Sequence, residues 1–152
     1  MIDVPFPEPR FRYREAGGKR QVFDAWRRCW VALTPEEWVR QNFVSYLVSC
    51  LHYPASLIAL EKEIRVGELR KRFDVLVYDP NHQPWMLVEC KAPEVPLAAH
   101  VLEQALRYNL SVPVDYIVIT NGSGTMAWKK EGASLIELKE LPKWAGGQGN
   151  IE

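Results

Sequence analysis

Apolar residues along the chain change their period, and each change marks an element. Between Thr34 and Pro54 (TPEEWVRQNFVSYLVSCLHYP), Trp38, Val39, Phe43, Tyr46, Leu47, Cys50 and Leu51 supply the broad apolar face of a helix. Thr34 suits the N-cap, Pro35 the first helical position and Glu37 the N3 position that completes a capping box, while Pro54 lies past the end. Strand patterns then follow at 57–66, at 73–78 (FDVLVY) and at 85–91, the last two joined by the turn-rich DPNHQP. A second helix is expected over 97–110, stopped before Pro113. The β-branched run DYIVIT (115–120) ends at Asn121-Gly122, and short strands close the pattern at 126–129 and 135–138. Upstream, residues 1–10 are Pro-rich and extended, 11–14 and 21–23 flank Gly17-Gly18 as a hairpin, and 24–31 read as a short helix. Helix, three strands, helix, strand gives an α/β fold with a mixed central sheet flanked by helices.

A length of 152 residues suggests one domain with a single core, here centred on 30–125, with an N-terminal extension over 1–30 and a loose tail over 142–152. Lys plus Arg equals Asp plus Glu. Zero net charge removes a whole-protein signal for nucleic acid and leaves room for a local patch. No apolar run approaches membrane-spanning length and MIDVPFPEPR is no secretory signal, so a cytoplasmic protein without a membrane partner is expected. Cys29, Cys50 and Cys90 are odd in number and widely spaced, and read as reduced, mostly buried thiols. His52, His82 and His100 have no metal-site spacing.

The stretch PWMLVECKAP (84–93) changes the picture. Four apolar residues lead into Glu89-Cys90-Lys91, and strand alternation points Glu89 and Lys91 the same way. A hairpin centred between Asn81 and His82 sets Asp74 opposite Glu89. Like charges facing each other destabilise a sheet, so compensation is expected. Lys91 is one source, and a divalent cation between the carboxylates is a better one. Such a site suits phosphodiester hydrolysis: metal lowers the pKa of bound water, and lysine holds phosphate or stabilises developing charge. The bland alternatives are an Asp74 ion pair with Arg70 or Arg72, and an edge-strand bridge between Glu89 and Lys91. The apolar flanks of Glu89 argue for a buried strand, where charges rarely sit without a reason.

Asp74 followed fifteen positions later by Glu89-x-Lys91 resembles the PD-(D/E)xK nuclease motif. With TPEEWVRQ (34–41), KRFDVLVYD (71–79), LVECKAP (87–93), QALRYN (104–109) and VITNG (118–122) in order, the chain is similar to the N-terminal nuclease domain of type I restriction enzyme R subunits. Phe73 stands where the motif's name has Pro, and no Walker A pattern occurs. The resemblance implies a restriction-endonuclease-like αβββαβ core and metal-dependent cleavage of DNA. Mg²⁺ or Mn²⁺ would be held by Asp74 and Glu89 with Glu37 in support, and Lys91 and Gln104 would complete the catalytic group. Capping alone also explains Glu37. Gln104 and Tyr108 match a QxxxY motif on one helical face, against the alternative of a solvated face. Tyr108, Arg72, Lys71 and Arg40 are candidate nucleic-acid contacts, and a motor or specificity subunit is the implied partner. A catalytically silent DNA-binding or assembly module is the competing reading. A carboxylate-pair glycosidase fits less well, because Lys91 adjoins the acids.

Overall fold

The computed structural model describes residues 1–8 and 10–145, with the backbone alone at Tyr108. Two sheets form. The first is an antiparallel three-stranded sheet of β1 (Tyr13–Ala16), β2 (Lys19–Asp24) and β3 (Cys29–Ala32). The expected hairpin around Gly17-Gly18 is therefore present, but the short helix expected over 24–31 is replaced by a turn and β3. The reason is local: Asp24 accepts hydrogen bonds from the Trp26 and Arg27 N–H groups, 2.8 and 3.0 Å, and Arg28 turns the chain back at φ +55°. An aspartate that caps its own turn competes with helix propagation.

Helix α1 (Pro35–Ser49) starts as its sequence dictates, with Thr34 Oγ1 accepting the Glu37 N–H at 3.0 Å. Only half of the capping box forms, because the Glu37 carboxylate turns to arginines and the Thr34 N–H bonds to Ala32 O. The second sheet has the order β4 (Ile58–Val66), β5 (Leu69–Tyr78), β6 (Pro84–Cys90), β7 (Tyr116–Thr120), β8 (Thr125–Glu131) and β9 (Ser134–Glu137). Its strands are antiparallel except β6 and β7, which run parallel across the connection carrying α2 (Ala99–Asn109). A parallel pair needs such a crossover.

The two helices cover opposite faces of this sheet. Val39, Phe43, Val44 and Leu47 of α1 pack with Val75, Val77, Met86 and Val88. Leu102, Ala105 and Leu106 of α2 pack with Leu76, Leu87, Ile117 and Ile119. β5 and β6 thus send alternate residues into two cores, which explains their near-continuous apolar runs. Residues from 142 onward were expected to be loose. Pro142 O instead accepts the Tyr53 hydroxyl at 2.6 Å and Trp144 Nε1 donates to Tyr78 O at 3.0 Å, while 146–152 lie outside the described residues. The cysteines also differ from expectation: Cys90 is buried, but Cys29 and Cys50 are exposed. Among the described residues no helix is long and apolar enough to cross a membrane.

Candidate active site

The pairing Val75↔Val88, Leu76↔Leu87, Val77↔Met86 carries the hairpin register that sets Asp74 against Glu89. The ladder stops at Val75↔Val88, one residue short of that pair. On the other side, β4 pairs at Leu60↔Val75 and Lys62↔Phe73 and skips the Glu61–Asp74 step, where Glu61 adopts φ +56°. Backbone strain of this kind in a non-glycine residue collects at functional sites. Asp74 therefore sits where both neighbouring ladders open, with Glu61, Asp74 and Glu89 at one level of three adjacent strands. The alternation of β5 also breaks here, since Phe73 and Leu76 share the α2-side core while Val75 and Val77 face α1.

Side chains replace the missing ladder bonds. Asp74 Oδ2 accepts the Cys90 N–H at 2.7 Å, and the Glu89 carboxylate accepts the Asp74 N–H. Each acid is thereby clamped to the other's strand. Burial raises the pKa of Asp74; the Cys90 N–H and the Arg40 charge oppose this, while Glu61 and Glu36 add to it. Glu89, with 14% of its side chain exposed, is pushed up to about 7 by burial and then by the charge of Asp74, against the pull of Lys71, Lys91 and the Asp74 N–H. Two carboxylates that repel across one gap call for positive charge close by.

Cations of the chain meet part of this demand. Arg40 Nη1 lies 2.9 Å from Glu61 Oε2 and 3.4 Å from Asp74 Oδ1, and Lys71 Nζ lies 3.8 Å from Glu89 Oε2. Lys91 acts on Glu89 through its charge, and among the described residues it closes no ion pair. Its backbone N–H bonds to Thr120 O at 2.8 Å, which fixes the end of β6 against β7.

Glu37 does not stand open beside these acids. It is buried, and its carboxylate binds Arg40, Arg27 through both oxygens at 3.0 Å, and Gln41 Nε2 at 2.8 Å. Burial alone would raise its pKa, but the Arg40 and Gln41 hydrogen bonds and the two guanidinium charges reverse the shift and lower it. Arg40, expected at a phosphate, is 10% exposed and joins Glu37 to Asp74. Gln104 is exposed on α2, and among the described residues no hydrogen bond joins it to Asp74 or Glu89. Arg72 is exposed on β5, and the Tyr108 side chain lies outside the described residues. Glu61 escaped sequence reasoning. Its signal was a carboxylate in IALEKEIRV that the β4–β5 register brings level with Asp74.

The donor set suits a hard divalent cation, since Asp74 and Glu89 offer only carboxylate oxygens with lone pairs left over. Among the described residues no three His, Cys, Asp or Glu side chains form a ready-made metal cage. The remaining positions would fall to water or phosphate, as Mg²⁺ usually arranges.

A six-stranded mixed sheet, helices on opposite faces and acids where its central strands part define a restriction-endonuclease-like α/β protein. The family model described as "Type I restriction enzyme R protein N terminus" matches residues 35–142, and the chain belongs to that family. The match spans α1 through β9 and includes Asp74, Glu89 and Lys91; β1–β3 precede it. No curated protein matches the chain.

Proposed function

We propose that the domain hydrolyses DNA phosphodiester bonds in a reaction dependent on Mg²⁺ or Mn²⁺. The observation that carries this reading is the pair Asp74 and Glu89 at one opening of the sheet, each bound to the other's strand. Family membership supports it, because the family is named for a restriction enzyme subunit. A metal held there would neutralise phosphate charge and lower the pKa of a water molecule. The chain's own residues supply the rest. Asp74 and Glu89 hold the ion. Lys91, with no carboxylate closed on its ammonium among the described residues, orients the attacking water or a phosphate oxygen. Arg40 fixes Asp74 from the α1 side, and Glu37 fixes Arg40, so Glu37 works as a positioning residue rather than a ligand. Gln104, Tyr108, Arg72 and Lys71 are the remaining candidates for contact with the bound strand. A motor or specificity subunit is the partner that the family name suggests.

One observation favours a second reading. Arg40 and Lys71 already stand against the carboxylates, as they would in a silent DNA-binding module of the same fold. Cleavage of linear, circular and single-stranded DNA in Mn²⁺ separates the two. Lys91→Ala is expected to lower the rate about 100- to 1,000-fold while calorimetry still detects metal. Asp74→Ala is expected to remove both. DNA binding without cleavage would favour the silent module. Cleavage surviving both substitutions would leave the site assignment without support.

A further inference from the structure

We propose that one face of the β1–β3 sheet is a second DNA-contacting surface, gripping the phosphate backbone through Arg12, Arg14 and Lys19. The chain is neutral overall, yet residues 10–32 hold seven Lys and Arg against two Asp and Glu. The register sorts these charges. Arg14 pairs with Gln21 and Phe23 with Trp30, and the Phe23 N–H continues the ladder by bonding to Arg12 O at 2.9 Å. Period-2 alternation then puts Arg12, Arg14, Lys19, Gln21, Phe23 and Trp30 on one face. Glu15 and Asp24 fall on the other, so no acid occupies this face within the three strands.

The cations here are exposed, and the two arginines are held in place. The Arg12 guanidinium lies 4.8 Å from the Phe23 ring centroid and 5.4 Å from that of Trp30; Arg14 lies 4.5 Å from Trp30 and donates to Gln21 Oε1 at 2.6 Å. Stacking of this kind restricts a long side chain before binding and leaves guanidinium N–H donors free for phosphate oxygens. Guanidinium groups over the rings make the face cationic rather than greasy, which suits a polyanion better than an apolar protein partner. Two residues along a strand advance about 6.5 Å, roughly the rise of two nucleotides in one strand of B-DNA. The sheet is also tied to the candidate active site. A cleft of about 160 Å³ is lined jointly by Arg12, Phe23 and α1 residues Gln41 and Ser45, and Arg27 after β2 binds Glu37. The inference rests on the proposed function only for the choice of DNA as the polyanion.

The test is DNA binding by the full chain in EDTA, followed by fluorescence anisotropy across a salt series, on a labelled duplex and a single strand of equal length. Each lost phosphate contact lowers the slope of log K against log salt by about 0.9 for duplex and about 0.7 for single strand. Arg12→Gln/Arg14→Gln/Lys19→Gln is expected to flatten the slope by about 3 on duplex or about 2 on single strand, the better-fitting value identifying the source. Arg12→Lys/Arg14→Lys keeps the charge and is expected to keep the slope, as is Glu15→Gln on the opposite face. Should the triple variant not fold, Lys19→Gln, which stacks on no ring, is expected to flatten the slope by about 0.9 or 0.7. A wild-type slope in the folded triple variant, or in Lys19→Gln when the triple does not fold, overturns the proposal. So does failure of the wild type to bind either DNA while it binds polyglutamate or anionic vesicles. Metal-dependent cleavage is read separately: its absence with the slope change intact defeats the nuclease reading alone.

Discussion

Glu89→Gln is expected to stabilise the metal-free protein at pH 8. Glu89 titrates at about 7 in the folded chain against an ordinary 4.5. Between those values the native state holds a proton that the unfolded chain has released, so stability falls as pH rises through that window and stays lower above it. At about 1.36 kcal/mol per pH unit, the full effect is about 3 kcal/mol. Glutamine removes the charge and still accepts the Asp74 N–H, but it forfeits the attraction of Lys71 and Lys91, so a net gain of about 1–2 kcal/mol is expected at pH 8. For a chain of this size that is a rise in Tm of roughly 2–8 °C. The assay is thermal unfolding in EDTA from pH 5 to pH 8. Wild-type Tm should decline over this range more steeply than that of Glu89→Gln. Mg²⁺ added at pH 8 should raise the wild-type Tm and leave the variant nearly unchanged, because a ligand stabilises only the state that binds it. Parallel pH profiles for the two proteins would refute the argument that an uncompensated Glu89 charge strains the metal-free fold.

Arg40→Ala should cost about 3–5 kcal/mol by chemical denaturation, since it strips the buried Glu37 and the neighbouring Asp74 and Glu61 of their shared cation; a loss under 1 kcal/mol would contradict this. Tyr53→Phe removes the hydroxyl bond to Pro142 O and should cost about 1 kcal/mol, with faster proteolysis near residue 142 as an independent readout. Gln104→Ala should leave stability within about 0.5 kcal/mol because the side chain is exposed. A slower cleavage rate at unchanged Tm would then assign Gln104 to substrate contact, whereas an unchanged rate would remove it from the catalytic group.

Most of the central fold was legible because its signals are local. Thr34-Pro35 opens α1, the two core layers leave their apolar runs in β5, β6 and β7, and the hairpin register follows from symmetry about 81–82 even though a shift between Val77 and Tyr78 moves the turn. β3 was missed because its four residues read as well in helical as in strand period, and only pairing with β2 decides between them. The surroundings of Asp74 were less legible for a different reason. Glu61, Glu37 and Arg40 meet through contacts that span as many as 34 positions in sequence, and no periodicity encodes such a meeting. A capping box explained Glu37 so economically that its pairing with two arginines had no separate signal.

The buried charges connect the two sheets in a way that bears on how the site holds its shape. Asp24, Glu37 and Arg40 are nearly withdrawn from water, and withdrawal is costly unless every charge has close partners. Each has them: Asp24 binds Arg27, Arg27 binds Glu37, Glu37 binds Arg40, and Arg40 reaches Glu61 and Asp74. The chain of alternating charge begins on β2, ahead of the family match, and ends at the opening between β5 and β6. Arg40 therefore divides its donors between Glu37 on one side and the strand acids on the other. Arg27 matters at Asp74 without touching it, because its two bonds to Glu37 balance the pull on Arg40. Were Arg27 absent, Glu37 would have only Arg40 and Gln41 for its charge, and Arg40 would be drawn back from Asp74. The N-terminal sheet is in this sense part of the support of the candidate active site rather than an appendage to it.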